Sequence, residues 1–179
     1  MTTRPRDGSP MVQLAVDACV AKEASNSKVP RSTTARDALE SVRKSKSIVV
    51  VFSPLLTEEW SRHAARFSVL WKSTMVSRRR VRFVADKPSR LLRAKVRDCL
   101  ADPADVAALL KDVYLLELGL VQGSRILSSD RRTGRLAAEV AIEFSPLGRV
   151  QWIDPHSRKY NCLAWLVAGC VDDDIGRLT

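Results

Sequence analysis

Three acidic residues stand where a chain of this pattern would gather ligands. Asp17 ends the apolar run 12–16, Glu59 follows the β-branched run 48–52 within a few residues, and Asp130 follows the run 125–128. A fourth acid, Asp112, precedes that last run on a helical stretch. Carboxylates brought together repel one another, so a crevice that holds several is costly unless cations neutralise it. With no His or Cys at ligand spacing the donors are hard oxygens, which suit Mg²⁺ or Mn²⁺. One or two such ions activate a water, orient a scissile phosphate and stabilise the leaving oxygen. The chemistry expected of the cluster is therefore phosphodiester hydrolysis. Taken singly, each acid has an ordinary explanation: Asp17 or Asp130 as a helix cap, Glu59 as a surface residue. Their joint position is what carries the expectation.

The elements that must position these acids follow from hydrophobic spacing. Strands are expected at 12–16, 48–52, 81–84, 125–128 and 149–153. The second, Ile-Val-Val-Val-Phe, is continuously apolar and should be covered on both faces. Helices are expected at 18–24 and 35–44, with 25–34 as a loop. Thr57 reads as the cap of a helix with Glu58 and Glu59 in its first turn. Trp60, Ala64, Phe67, Leu70 and Trp71 would form its single apolar stripe, ending near Met75. A basic amphipathic helix is expected at 91–100. Asp102-Pro103 starts another that runs to Gly123, with a break before Lys111-Asp112 left open. A last apolar helix is expected at 161–171. Strands alternating with helices indicate an α/β domain with a largely parallel sheet. In such sheets ligands bind beyond the carboxyl ends of the strands. That rule gathers Asp17, Glu59 and Asp130 at one rim and leaves Asp112 unplaced.

Length and composition fit this architecture. A chain of 179 residues with 45% hydrophobic and 28% charged residues forms an ordinary globular core. Residues 1–10 read as a flexible arm and 11–179 as a single domain with a basic helical region at 60–100. The formal charge of +10 and the pI near 10.0 point to a polyanion, nucleic acid ahead of an anionic membrane surface. Region 60–100 accounts for the excess, because only Asp86 and Asp98 oppose its basic side chains. Arg62, Arg66, Lys72, Arg78, Arg79, Arg80 and Arg82 are the candidate phosphate contacts, which position a strand without reading its sequence. The plainer reading is a solvated basic face. Four cysteines without paired spacing, together with no apolar run approaching about 18 residues, predict a cytoplasmic protein without a membrane span. No glycine-rich phosphate loop follows the first strand, which argues against a nucleotide binder.

Several short motifs resemble the PIN-domain family of metal-dependent ribonucleases, which includes VapC-type toxins. They are Leu14-Ala-Val-Asp17-Ala; Ser53 with Leu56-Thr-Glu-Glu59-Trp; Lys111-Asp112-Val-Tyr-Leu-Leu, opening a helix; and Ile126-Leu-Ser-Ser-Asp130. The likeness spans 12–153 and rests on the order of all four. It implies a three-layer α/β/α fold with a four- to five-stranded parallel sheet in the order 3-2-1-4-5. It also implies that Asp17, Glu59, Asp112 and Asp130 are the catalytic and metal-binding residues of a Mg²⁺- or Mn²⁺-dependent endoribonuclease. RNA is the expected substrate, DNA is left open, and an antitoxin-like partner or a homodimer would accompany a toxin–antitoxin role. The alternative is a PIN-like module that binds RNA or protein without cutting. Ser128 holds the family's hydroxyl position two before the last acid; Glu117 and Glu58 are secondary candidates, Glu59 being preferred to Glu58 for the hydrophobe that follows it. Cys19 stands where many members carry Asn or Ser, and the extended basic region weakens a toxin role more than a nuclease one. His63 and the tryptophans read as structural, and Asp172-Asp173-Asp174 as a solvated tail.

Overall fold

The computed structural model describes residues 11–123, 125–170 and 175–178. The expected arm at 1–10 and the acidic run at 172–174 lie outside them. Among the described residues five strands form one sheet: β1 (Val12–Val16), β2 (Ile48–Phe52), β3 (Val81–Phe83), β4 (Arg125–Leu127) and β5 (Trp152–Ile153). All pairings are parallel and the order is β3-β2-β1-β4-β5. Leu14 lies opposite both Val50 and Arg125, so the carboxyl ends of the three inner strands come level at one rim. Every residue of β2 is buried, as its unbroken apolar sequence requires.

Eight α-helices accompany the sheet among the described residues: α1 (Ala18–Glu23), α2 (Pro30–Lys44), α3 (Pro54–His63), α4 (Arg66–Ser77), α5 (Arg90–Cys99), α6 (Pro103–Gln122), α7 (Arg131–Glu143) and α8 (Cys162–Val167). One packed group comprises α2 with α1, α4 and α8; the other comprises α5, α6 and α7. Helix α3 touches both α1 and α6, and so brings the two groups together. Among the described residues no helix is long and apolar enough to cross a membrane.

The structure corrects the expected elements at several points. α2 begins at Pro30, in the middle of the expected loop, because proline is pre-set for the first helical position and lacks only an N–H that would be unpaired there. The single helix expected from Thr57 is two. α3 starts earlier, with the Ser53 hydroxyl accepting from the Leu56 N–H at 3.4 Å. It stops where Ala64 and Ala65 turn extended, at ψ 131° and 156°. That break is held by α1: the Ala65 N–H and the Ser68 hydroxyl both donate to the Ala21 carbonyl, at 3.0 and 2.7 Å. It also shifts the helical phase, so Trp60, Trp71 and Met75 are buried while Leu70 is 61% exposed. α6 runs unbroken through Lys111-Asp112 to Gly123, whose φ of +59° ends it in the left-handed region. β5 is shorter than expected because residues 147–149 form a 3-10 turn, and α8 ends before residue 168. α7, which buries Leu136, Ala137 and Val140 at helical spacing, lies between two expected strands where no helix was assigned.

The tryptophans pack as expected. Trp60 meets Phe52 edge-on at 5.1 Å between ring centroids and stacks on Trp71 at 6.0 Å. The Trp60 indole N–H donates to the Val16 carbonyl at 2.7 Å, and that of Trp71 to Leu39 at 2.7 Å. The first of these bonds ties α3, which carries Glu59, to the end of β1, which leads into Asp17.

Candidate functional site

Asp17, Glu59, Asp112 and Asp130 line one cavity of about 240 Å³, together with Ala18, Cys19, Lys22, His63, Lys111 and Tyr114. Each acid arrives on a different element. Asp17 leaves the end of β1 and caps α1; its own N–H donates to the Leu127 carbonyl at 2.9 Å, which locks it to the end of β4. Glu59 rides on α3. Asp130 caps α7, accepting from the Thr133 N–H and hydroxyl at 2.9 Å each. Asp112 lies midway along α6. It does not open a helix, so this part of the expected pattern is replaced: a long helix crosses the rim and presents its middle.

Asp17 is the most buried of the four, at 8% exposure. Its Oδ2 accepts from the Ser128 hydroxyl at 2.7 Å and from the Cys19 thiol at 2.9 Å. Burial raises its pKa, the two side-chain donors oppose that rise, and the charge of Asp130 adds to it. Asp112 is pushed up to about 6, first by burial and then by Asp17; Lys111 opposes, while Asp130 and Glu59 contribute further. Like charges sharing a low-dielectric crevice disfavour ionisation. Cys19 is also pushed up to about 12, by burial and then by the charge of Asp17, so it remains a thiol that donates to the carboxylate. The Ser129 N–H and hydroxyl approach its sulfur at 3.3 and 3.1 Å.

The donor chemistry fits a hard divalent cation: four carboxylates, a thiol that stays protonated, and a single imidazole, His63, turned to Glu59. Two of the acids carry raised pKa values, which is the cost a cation would relieve. In the side-chain positions present, no three His, Cys, Asp or Glu residues among those described close on a common point. Asp17 and Asp130 instead turn oxygens toward Ser128, Cys19 and Thr133.

The other expected residues separate into two sets. Ser128 touches Asp17 directly. Glu58 is exposed and pairs with Arg62, outside the cavity. Glu117 also stands apart: it is 4% exposed and accepts from Arg93 Nε and Nη2, at 2.8 and 3.0 Å, and from the Ser89 N–H at 2.8 Å. It fastens α5 to α6 and is neither a surface group nor part of the acidic wall. His63, expected to be structural, lines the cavity with Nε2 3.5 Å from Glu59.

The basic side chains are distributed differently from the expectation. Arg66, Arg78, Arg79 and Arg82 are exposed. Arg62 is held by Glu58 and Glu59. Lys72 lies with its ammonium 4.1 Å from the centre of the Phe52 ring, and burial lowers its pKa. Arg80 is an internal clasp, donating to the carbonyls of Ile48 (3.0 Å), Arg43 (2.9 Å) and Val42 (3.0 Å). The cations that do line the acidic cavity are Lys22 and Lys111, which spacing had not singled out.

A second cluster adjoins the first. Glu23 accepts from Arg31 at 2.6 Å and from the Ser129 hydroxyl at 2.8 Å, and it meets His156 Nε2 at 2.7 Å. Burial works to raise Glu23, but the hydrogen bonds from Arg31, His156 and Ser129 together outweigh it and lower its pKa. These partners lie far apart in sequence and no periodicity joins them.

Fold and site together define an α/β protein with an acid-lined cavity at the carboxyl rim of a parallel five-stranded sheet. No protein-family model matches the chain, and no curated protein matches its sequence.

Proposed function

We propose that this protein is a PIN-like, Mg²⁺- or Mn²⁺-dependent endoribonuclease. The observation that carries the reading is the meeting of Asp17, Glu59, Asp112 and Asp130, from four separate elements, around one cavity at the rim where parallel sheets bind ligands. These four residues would hold the cation, which when bound supplies Lewis acidity to the phosphate and lowers the pKa of a water. The surrounding groups do the positioning. Ser128 and Cys19 fix the rotamer of Asp17, Thr133 fixes that of Asp130, and the Trp60 bond to Val16 holds α3 at the distance that admits Glu59. Lys22 and Lys111 offer positive charge to a phosphate inside the cavity wall. Arg66, Arg78, Arg79 and Arg82 offer it along the outer surface, where it steers a strand without reading bases.

The test is cleavage of single-stranded RNA in Mn²⁺, with single-stranded DNA offered in parallel. Wild type is expected to cut RNA, to stop when the cation is chelated, and to lose at least a hundredfold in rate on Asp17→Asn, in line with the few kcal/mol of charge stabilisation a ligand carboxylate supports (about 1.4 kcal/mol per tenfold). Undiminished cleavage by the folded Asp17→Asn protein would remove the reading.

Two observations favour a second reading, a PIN-like module that grips RNA or protein without cutting. The acids do not close on a common point, and a thiol donates to Asp17. Titration calorimetry with Mn²⁺ separates the two, since a module without cation affinity at millimolar Mn²⁺ is no metallonuclease. An antitoxin-like partner or a second copy of the chain belongs to the same proposal; Val69, Leu70 and Val76, exposed on α4, are the aliphatic surface it would use. So does a cytoplasmic location, which suits four cysteines that are all free thiols.

A further inference from the structure

Tyr114 is the one wall residue of the acidic cavity whose polar group neither the fold nor the four-carboxylate reading employs. The residue is 7% exposed, and its ring belongs to the core of α6. Its hydroxyl makes no hydrogen bond to any described residue. A phenylalanine would fill the same space, so the oxygen adds nothing to packing. Nor does it orient the acids: Asp17 takes its donors from Ser128 and Cys19, and Asp130 from Thr133. Nor is the hydroxyl sealed from solvent, so it is open to an acceptor that enters the cavity.

What accepts from it is limited by its surroundings. A phenol keeps its proton at physiological pH, so the group is a neutral donor in a wall that Asp17, Glu59, Asp112 and Asp130 also line. Lys111 lies one helical turn before it on α6, and Lys22 lines the same cavity from α1. Three donors among four carboxylates suit a ligand rich in acceptor oxygens that enters together with cations.

Resting on the nuclease reading above, we propose that Tyr114 contacts the substrate, donating its hydroxyl hydrogen bond to a non-bridging oxygen of the phosphodiester held in the cavity. The residue then serves phosphate binding and leaves cation binding to the acids.

Two measurements test this. The first is equilibrium binding of a short fluorescent single-stranded RNA to the Asp17→Asn protein, with and without Tyr114→Phe. The second is Mn²⁺ calorimetry and thermal melting of Tyr114→Phe alone. Loss of a hydrogen bond to a charged oxygen predicts RNA binding weaker by about tenfold. It also predicts a similar fall in kcat/KM for the single variant, with Mn²⁺ affinity and Tm at wild-type values. Equal RNA affinity and equal turnover would assign Tyr114 to packing and overturn the proposal while leaving the nuclease intact. A fall in Mn²⁺ affinity as large as the fall in RNA affinity would move the hydroxyl to the cation, and would overturn it as well. If wild type neither binds nor cuts RNA, the nuclease reading fails first and takes this proposal with it.

Discussion

At the scale of single residues, the acidic wall is held together against its own charge. Asp17 and Asp112 both have raised pKa values, so the folded protein binds more protons than the unfolded chain between the ordinary aspartate range and about 6. The contribution of these two acids to stability then falls as pH rises through that window, since ionising them costs more in the fold than outside it, whereas Glu23, whose pKa is lowered, contributes in the opposite sense. In chelator, Tm is expected to decline from about pH 4 to about pH 6.5 by more than in the Asp112→Asn variant, whose profile should be flatter. Adding Mn²⁺ should raise Tm most at the upper end of the window, where the carboxylates are ionised and available to a cation. An Asp112→Asn profile no flatter than that of wild type would contradict the assigned shift of Asp112. Asp17, Glu59 and Asp130 were legible as a group because each follows a strand. Lys22, Lys111, His63 and Tyr114 were not, since a residue becomes part of a wall only when helices from distant segments turn the same face inward. Glu23 and His156 make the same point: their 2.7 Å contact joins residues 133 positions apart.

At the scale of elements, periodicity located most strands and helices and missed where helices start and stop. The apolar runs of β1 and β2, the Asp102-Pro103 start and the Gly123 stop are local signals, and each marks its boundary. The break between α3 and α4 is not local, because it depends on the Ala21 carbonyl of α1 accepting from Ala65 and Ser68. It matters for the site, since it frees α3 to tilt Glu59 toward the rim while α4 packs on α2. α7 carries a second tertiary constraint. A methyl group at Gly134 would come within 2.7 Å of the Trp152 indole, itself 7% exposed and unable to yield freely. Gly134→Ala should therefore destabilise the protein by about 1–3 kcal/mol, against the gain of up to about 1 kcal/mol that alanine brings to an open helix site. Urea denaturation measures the sign: a stabilised variant would mean that the indole moves aside.

At the scale of the whole molecule, the formal charge of +10 is a surface property only in part. Arg80 lies in the basic run yet caps the end of α2 and clasps it to β2, whereas Arg82, two residues on, is exposed at the edge strand β3. The two should respond oppositely to the same change. Arg80→Met is expected to cost about 1–3 kcal/mol in stability, the range for stranding enclosed carbonyls. Arg82→Met is expected to leave the unfolding free energy within about 0.5 kcal/mol of wild type while reducing the salt dependence of RNA binding by about one counterion. Matching Tm losses in both would show that the basic run is structural throughout.

By itself the sequence determined the α/β class, the two central strands, the acids that follow strands, and the sign and size of the net charge, because all of these depend on residue type and short spacing. Tertiary structure alone decided which of those features meet. It brought Asp112 to the rim from the middle of a long helix and kept Glu58 out of the cavity that Glu59, already preferred on sequence, lines. It withdrew Glu117 and Arg80 into structural pairs and left the Tyr114 hydroxyl in the wall of the acidic cavity. The reason is that a side chain's chemistry depends on what faces it, and what faces it comes from segments far away along the chain.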